Sequence, residues 1–158
     1  MTKQLNKKGT SLVELIAVIV IMGIIAGIAV PVTIAVINRQ KKNAAAKSAE
    51  AVVATIKQLT QELVSKASTS IVIELQYGAI ETNIPTTASV TIDSGTADTT
   101  TYPASEFLVE NLKAKGTIKA TYTVASATYA FDTATTQFQV SGYNITIATD
   151  GSATAASA

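Results

Sequence analysis

Side chains suited to catalytic chemistry are sparse in this 158-residue chain. It has no histidine, the commonest general base and metal ligand, and no cysteine, which excludes disulfide bonds. Neither a glycine-rich phosphate loop nor a nucleophile elbow is present. The acids of the C-terminal part are scattered in a way that surface solubility explains: Glu74, Glu81, Asp93, Asp98, Glu106, Glu110, Asp132 and Asp150. We therefore predict a non-enzymatic protein without a cofactor.

Binding motifs are equally few. Asp93 and Asp98 could supply two oxygen ligands to calcium, but a dedicated calcium loop has a higher density of ligands, so no metal site is predicted. The sequon Asn144-Ile145-Thr146 lies in a predicted strand and is read as a chance match. The formal net charge of +1 comes with no clustered basic face, so no specific nucleic-acid partner is expected.

The most informative spacing lies near the N-terminus. Three lysines precede Gly9, and the apolar run Leu12–Ile37 follows with Glu14 as its single charge. The 23 residues from Leu15 to Ile37 would form a helix of roughly 35 Å, enough to cross the hydrocarbon core of a bilayer. Because lipid satisfies no backbone polar group, a single spanning segment must be helical. The run is therefore predicted to be a membrane-inserted helix.

Charge on either side of this run bears on its orientation. The leader lysines Lys3, Lys7 and Lys8 favour a cytoplasmic N-terminus and an external C-terminal part by the positive-inside rule. A second basic group follows the run, comprising Arg39, Lys41 and Lys42, and competes with the first. Charge alone decides the orientation only weakly.

The junction Lys8-Gly9-Thr10-Ser11-Leu12-Val13-Glu14, followed by an apolar helix that contains Pro31, resembles the class III signal of type IV pilins and pseudopilins. The resemblance covers residues 1 to 40. It implies that a prepilin peptidase cleaves after Gly9 and methylates the new N-terminus, here Thr10. Many members have phenylalanine at that position, so Thr10 is a departure from the family pattern.

The resemblance also implies assembly roles within the helix. Glu14 would pair with the freed ammonium of Thr10, on its own helix or on a neighbouring subunit; a lone interfacial acid is the alternative. Gly23 and Gly27 form a Gly-x-x-x-Gly pair that allows close approach of another helix. The glycines and Pro31 weaken the helix locally, so the segment could melt in a filament or simply be a kinked anchor.

Gly27-Ile28-Ala29 offers a different processing site. It could serve an ordinary signal peptidase, and the mature chain would then begin at Val30. Glu14 at the head of the hydrophobic region and the lack of an Ala-x-Ala pair count against it.

Composition changes after the apolar run. Residues 38–67 contain no glycine or proline, and Val52, Ile56, Leu59 and Leu63 follow helical spacing. We expect a leader at residues 1–9, a transmembrane and polymerisation helix at 10–37, an amphipathic half-helix at 38–67 and a β-rich head at 68–158. The predicted fold is α+β, with the long N-terminal helix packed on a C-terminal antiparallel sheet.

The head is predicted to contain several short strands in a meander. Period-2 patterns and turn residues place strands at Ala88–Asp93, Thr117–Val124, Thr128–Asp132, Gln137–Ser141 and Tyr143–Thr149. Ile71–Leu75 is either a strand or a last helical stretch. Ser105–Lys115 is predicted to be a short helix, with Ser105 as N-cap and Gly116 after its end. The tail Ser152–Ala158 is expected to fray.

The function that the resemblance implies is structural. The chain would be a major subunit of a type IV pilus, held in the membrane with its head outside and then assembled into an extracellular homopolymer on a bacterial surface. Its partners would be copies of itself, the prepilin peptidase, the assembly platform with its ATPase, and membrane lipid before assembly. Two alternatives remain: a pseudopilin of a secretion or DNA-uptake machine, and an anchored surface binding domain that never polymerises.

Overall fold

The computed structural model describes residues 11–82, 84–95, 102–109, 112–132 and 138–158. Helix α1 spans Leu12–Leu63, and a 3₁₀ turn at Val64–Lys66 follows it. The chain divides into two compact units, residues 1–40 and 41–158. Because neither glycine nor proline occurs between residues 32 and 66, nothing in the local sequence interrupts α1 after Pro31. The continuous helix predicted from the sequence is confirmed.

The second unit consists of the C-terminal part of α1 and an antiparallel sheet. All strand pairs among the described residues are antiparallel, and the seven strands are β1 Ser70–Thr82, β2 Thr87–Ile92, β3 Ala114–Thr123, β4 Thr128–Phe131, β5 Phe138–Val140, β6 Tyr143–Ile147 and β7 Ala153–Ser157. Their order in the sheet is β2-β1-β3-β5-β6-β7, with β4 paired to β3. The predicted α+β fold, a long helix packed on an antiparallel sheet, is confirmed.

The connectivity departs from a simple meander. β3 is ten residues long, and two strands share one of its edges: β4 pairs along Ala120–Thr123 and β5 along Ala114–Gly116. β5 therefore pairs with β3 rather than with its sequence neighbour β4. A ten-residue strand leaves room for two short partners in succession. The turn residues in the sequence do not reveal this arrangement.

The core lies between one face of the sheet and one face of α1. Alternate strand residues such as Ile71, Ile73 and Leu75 are buried, as strand periodicity requires. The helix contributes a stripe at helical spacing: Ala45, Ala49, Val52, Val53, Ile56, Leu59, Thr60 and Leu63. The opposite sheet face is polar and includes an ion pair between Lys119 and Glu74, which are direct cross-strand neighbours.

The predicted helix at Ser105–Lys115 is wrong. Among the described residues of this segment, a 3₁₀ turn at Ala104–Phe107 is the only helical part, and β3 has already begun at Ala114. Gly116 is a strand residue with φ +116° rather than a helix cap. It pairs with Tyr77 of β1 on one side and with Phe138 of β5 on the other, and the ring centroids of these two residues lie 5.6 Å apart.

The prediction that the tail frays is also wrong. Ala153–Ser157 forms β7, which pairs with β6, and Ala153 and Ala155 are buried. A tight turn reverses the chain before it, with Gly151 at φ +90°. The carboxylate of Asp150 accepts hydrogen bonds from the Ser152 amide at 2.8 Å and from its hydroxyl at 2.7 Å. These small residues form a strand because they pair with β6.

The remaining strand predictions are confirmed with shifted ends. Ile71–Leu75, left open between strand and helix, lies within β1. The strand expected at Thr117–Val124 begins three residues earlier, at Ala114. The other expected strands correspond to β2, β4, β5 and β6, except that Gln137 lies outside the described residues.

Candidate functional site

The first part of α1 presents an exposed apolar surface. Every residue from Ser11 to Gln40 is exposed. Seventeen large apolar side chains between Leu12 and Ile37 retain between 42% and 74% of their accessible surface. An 18-residue window of this helix has a mean hydropathy of 2.9, with none of it buried. The helix is thus long and apolar enough to cross a membrane.

This exposed surface is too costly to leave in water. Burying one large apolar side chain is worth about 1.5–3 kcal/mol, and between 42% and 74% of each of these surfaces is available. The total is on the order of 15–30 kcal/mol, as large as or larger than the roughly 5–15 kcal/mol that hold a typical domain folded. The first part of α1 therefore requires lipid or another apolar surface around it.

Glu14 lies at the start of the helix. Its carboxylate accepts a hydrogen bond from the Ser11 amide at 3.2 Å, and the Leu15 amide donates to the Ser11 carbonyl at 3.1 Å. Glu14 is the third residue of α1, so this contact is the carboxylate half of a capping box. The favourable interaction with the helix dipole adds to it. Gly9 and Thr10, the predicted cleavage site and new N-terminus, lie outside the described residues.

Gly23 and Gly27 lie four residues apart on the exposed surface of α1. A Cβ atom added to either glycine would find no heavy atom within 4 Å. Neither glycine is therefore needed for packing against the described part of this chain. Their close-approach surface is open to another helix.

Pro31 lies inside α1, and the helix continues through it. Proline lacks the amide hydrogen that would bond to the carbonyl of Gly27. Two residues later, the Thr33 hydroxyl donates to the Ala29 carbonyl at 2.8 Å, so its hydrogen is used inside the helix. A polar side chain is thereby accommodated in an otherwise apolar segment.

No family model matches this chain, and neither a curated protein nor a solved structure matches it significantly. The function must therefore be inferred from the residues of the chain itself.

Asp93, which was weighed with Asp98 as a calcium ligand before no metal site was predicted, has a structural role. Its carboxylate accepts hydrogen bonds from the amides of Ser68, Thr69 and Ser70 and from the hydroxyls of Ser68 and Thr69, at 2.6–3.0 Å. These bonds, led by that from the Thr69 hydroxyl, hold the pKa of Asp93 well below its usual range. Asp98 lies outside the described residues. Asp93 fixes the point where the chain leaves α1 and enters β1.

A second contact fastens the β6–β7 turn to α1, and the sequence analysis missed it. The Lys57 ammonium donates to the Asp150 carbonyl at 2.7 Å and lies 5.5 Å from the ring centre of Tyr129. A Cβ atom on Gly151 would come within 2.7 Å of Val53 Cγ1 and 2.8 Å of Lys57 Nζ. Lys57 and Asp150 lie 93 residues apart in the sequence, so local patterns do not indicate this contact.

Proposed function

We propose that this chain is a structural subunit, a major pilin of a type IV pilus. The peptidase would cleave it after Gly9, and copies would assemble through α1 into an extracellular filament. In this role the apolar segment first occupies the membrane and then packs against copies of itself. The observation that carries the proposal is the fully exposed apolar first part of α1, directly after the pilin-like junction at Gly9.

The physical basis of assembly is that the apolar segment must leave lipid without entering water. A bundle of identical helices provides the required apolar surroundings. The open surface at Gly23 and Gly27 permits close helix approach, and Glu14 stands at the end of the segment where an incoming Thr10 ammonium would be stabilised. Such contacts join different surfaces of successive copies, and they build an open filament when the rotation from one copy to the next does not close into a ring.

The direct test is electron microscopy of material sheared from the surface of cells that express the chain, with mass spectrometry of the filament subunit. The proposal expects abundant filaments composed of this chain. Short filaments confined to the cell envelope would favour a pseudopilin. Chains that remain anchored singly in the membrane would refute polymerisation and favour an anchored binding domain.

A further inference from the structure

The antiparallel sheet ends in two different edge strands. Among the described residues, β2 pairs only with β1 and β7 pairs only with β6. An edge strand presents a row of unpaired amides and carbonyls to which another strand can add. Neither edge strand contains a charged residue or a proline, which are the residues that commonly prevent such pairing. Both edges are therefore suited to accept a further strand.

The hydrogen-bond pattern shows which backbone groups of β7 face away from the sheet. The Ala148 amide donates to the Ser152 carbonyl at 2.8 Å, so these two residues form a hydrogen-bonded pair. Hydrogen-bonded and non-hydrogen-bonded pairs alternate along antiparallel strands. The amides and carbonyls of Ala153, Ala155 and Ser157 therefore point away from β6.

The same reasoning identifies the outward backbone groups of β2. The Asp93 amide donates to the Ser70 carbonyl at 2.9 Å, which makes these two residues a hydrogen-bonded pair at the end of the β1–β2 ladder. Alternation along the strand then directs the amides and carbonyls of Ala88, Val90 and Ile92 away from β1.

Two of these outward groups are already used within the chain. The Ile92 carbonyl accepts a hydrogen bond from the Gly95 amide at 2.9 Å. At the other edge, a hydrogen bond from Lys47 and a further one from the backbone of Ala153 help to lower the pKa of Glu50. Among the described residues, the middle of β2 and the C-terminal part of β7 remain as open edges.

The directions of the two edge strands select the partner. Every pairing along the path from β2 to β7 is antiparallel, so the six strands alternate in direction and β2 runs opposite to β7. A second copy placed beside β7 without being turned over thus presents its β2 antiparallel to β7. Pairing of β7 with β7 of another copy requires a twofold axis instead, and that contact closes after two copies. In a filament whose copies all point in one direction, β2 is the matching partner.

The buried side chains of the two edges fix their register. Alternate residues are buried on the sheet face that packs on α1, namely Ala88 and Val90 in β2 and Ala153 and Ala155 in β7. A continuous sheet must place these positions opposite one another. β7 overlaps fully with β2 when Val90 lies opposite Ala155. Ile92 then lies opposite Ala153, so the two groups that are already used fall at the same end and the open groups face each other.

We propose that β2 of one copy adds antiparallel to β7 of the next copy, so that the sheets of successive second units join into one. The inference rests on the proposed filament and adds a contact between heads to the contact through α1. In this register Val90 and Ala155 exchange two backbone hydrogen bonds, and Ala88 and Ser157 exchange two more, about four in total.

The test is disulfide cross-linking of the full chain, which contains no cysteine of its own. The register places Ser89 opposite Ala156 and Thr91 opposite Thr154. Both are non-hydrogen-bonded pairs, whose Cα atoms lie about 4.5 Å apart, and this distance suits a disulfide. After mild oxidation, filaments of S89C/A156C and of T91C/T154C should each give a ladder of disulfide-linked multimers in non-reducing electrophoresis.

The matched control is T123C/A156C. Thr123 and Ala156 are both exposed, but Thr123 lies on β3 and is paired on both sides, with β1 and with β4. This variant should remain monomeric, and a ladder as strong as that of S89C/A156C would overturn the inference. T154C/A156C detects pairing of β7 with β7, because it would then give dimers and no ladder. That result would also show the assignment of β2 as the partner to be wrong.

A proline variant tests the backbone contact itself. The Ala155 amide points away from β6, so A155P removes a donor to the second copy without removing one from the β6–β7 pair. Added to S89C/A156C, it should abolish the ladder while the second unit still melts cooperatively, and an undiminished ladder would contradict the proposed hydrogen bonds. If A155P prevents folding, the two cysteine pairs decide the question.

The outcomes separate this inference from the filament proposal. Filaments of S89C/A156C and T91C/T154C that are visible by electron microscopy but yield only monomers would refute the edge pairing and leave the filament proposal standing. A ladder formed by the purified chain in detergent, from a chain that builds no filament on cells, would support the edge pairing and refute the filament proposal.

Discussion

Replacing Gly151 with alanine should destabilise the second unit strongly, because two separate penalties meet at this residue. Its φ of +90° is a conformation that residues with a Cβ rarely adopt, at about 1–2 kcal/mol. The added Cβ would also lie 2.7 Å from Val53 Cγ1 and 2.8 Å from Lys57 Nζ. Overpacking of this kind costs about 1–3 kcal/mol. We expect G151A to lower the free energy of unfolding by about 2–5 kcal/mol.

Gly142 provides a matched control for the backbone penalty. It also has a positive φ, +81°, but a Cβ there would contact nothing within 4 Å. G142A should therefore cost only the backbone part, about 1–2 kcal/mol. The difference between the two variants measures how tightly the β6–β7 turn packs on α1. Adding V53A to G151A removes one clashing atom, so the double variant should be more stable than the sum of the two single effects predicts.

Near-ultraviolet circular dichroism of the full chain in detergent is the appropriate assay. All five tyrosines follow residue 70, so the signal reports the second unit and not the apolar helix. A loss of 1 kcal/mol lowers Tm by about 4–8 °C in a unit near 100 residues, so G151A should melt at least 8 °C lower than wild type. Equal melting temperatures for G151A and G142A would refute the packing of this turn on α1.

Three other changes test separate parts of the account. Because the pKa of Asp93 is lowered in the folded state, its stabilising effect is complete above the unfolded-state pKa of about 3.9 and is lost as the pH falls below that value. D93N should therefore have a lower Tm than wild type at pH 7, and its Tm should fall less than that of wild type between pH 5 and pH 2.5. Among the described residues, the buried Tyr77 hydroxyl has no hydrogen-bond partner, and burial raises the pKa of Tyr77 to about 12. Y77F removes this unsatisfied hydroxyl and should raise the free energy of unfolding by about 1 kcal/mol. A loss of stability in Y77F would show that the hydroxyl has a partner. E14A should leave export and cleavage unchanged but reduce filament yield, measured by immunoblot of sheared material, and normal yield would contradict the assembly role of Glu14.

Local sequence signals predicted the helix and most strands because the decisive forces there are local. The unbroken run of helix formers after Pro31 and the spacing of Val52, Ile56, Leu59 and Leu63 predict both α1 and its buried face. The failures occurred where a distant partner decides. Gly116 has the sequence signature of a helix cap, but Tyr77 and Phe138 place it in a strand.

The candidate site likewise combines features that local sequence predicts with features that depend on distant partners. The apolar character of the first part of α1 follows from composition alone, because Glu14 is the single charge between Leu12 and Ile37. The carboxylate of Asp93 could be singled out from its spacing to Asp98, but its real partners at Ser68–Ser70 lie more than twenty residues away in the sequence. Pairings of this kind depend on the folded sheet.

The most direct test of the central claim is the intact mass of the subunit recovered from the cell surface. Cleavage after Gly9 predicts a subunit whose first residue is Thr10, with or without one added methyl group, and which retains the entire apolar part of α1. A subunit that begins at Val30 would have lost most of the surface through which assembly is proposed, and it would contradict the account.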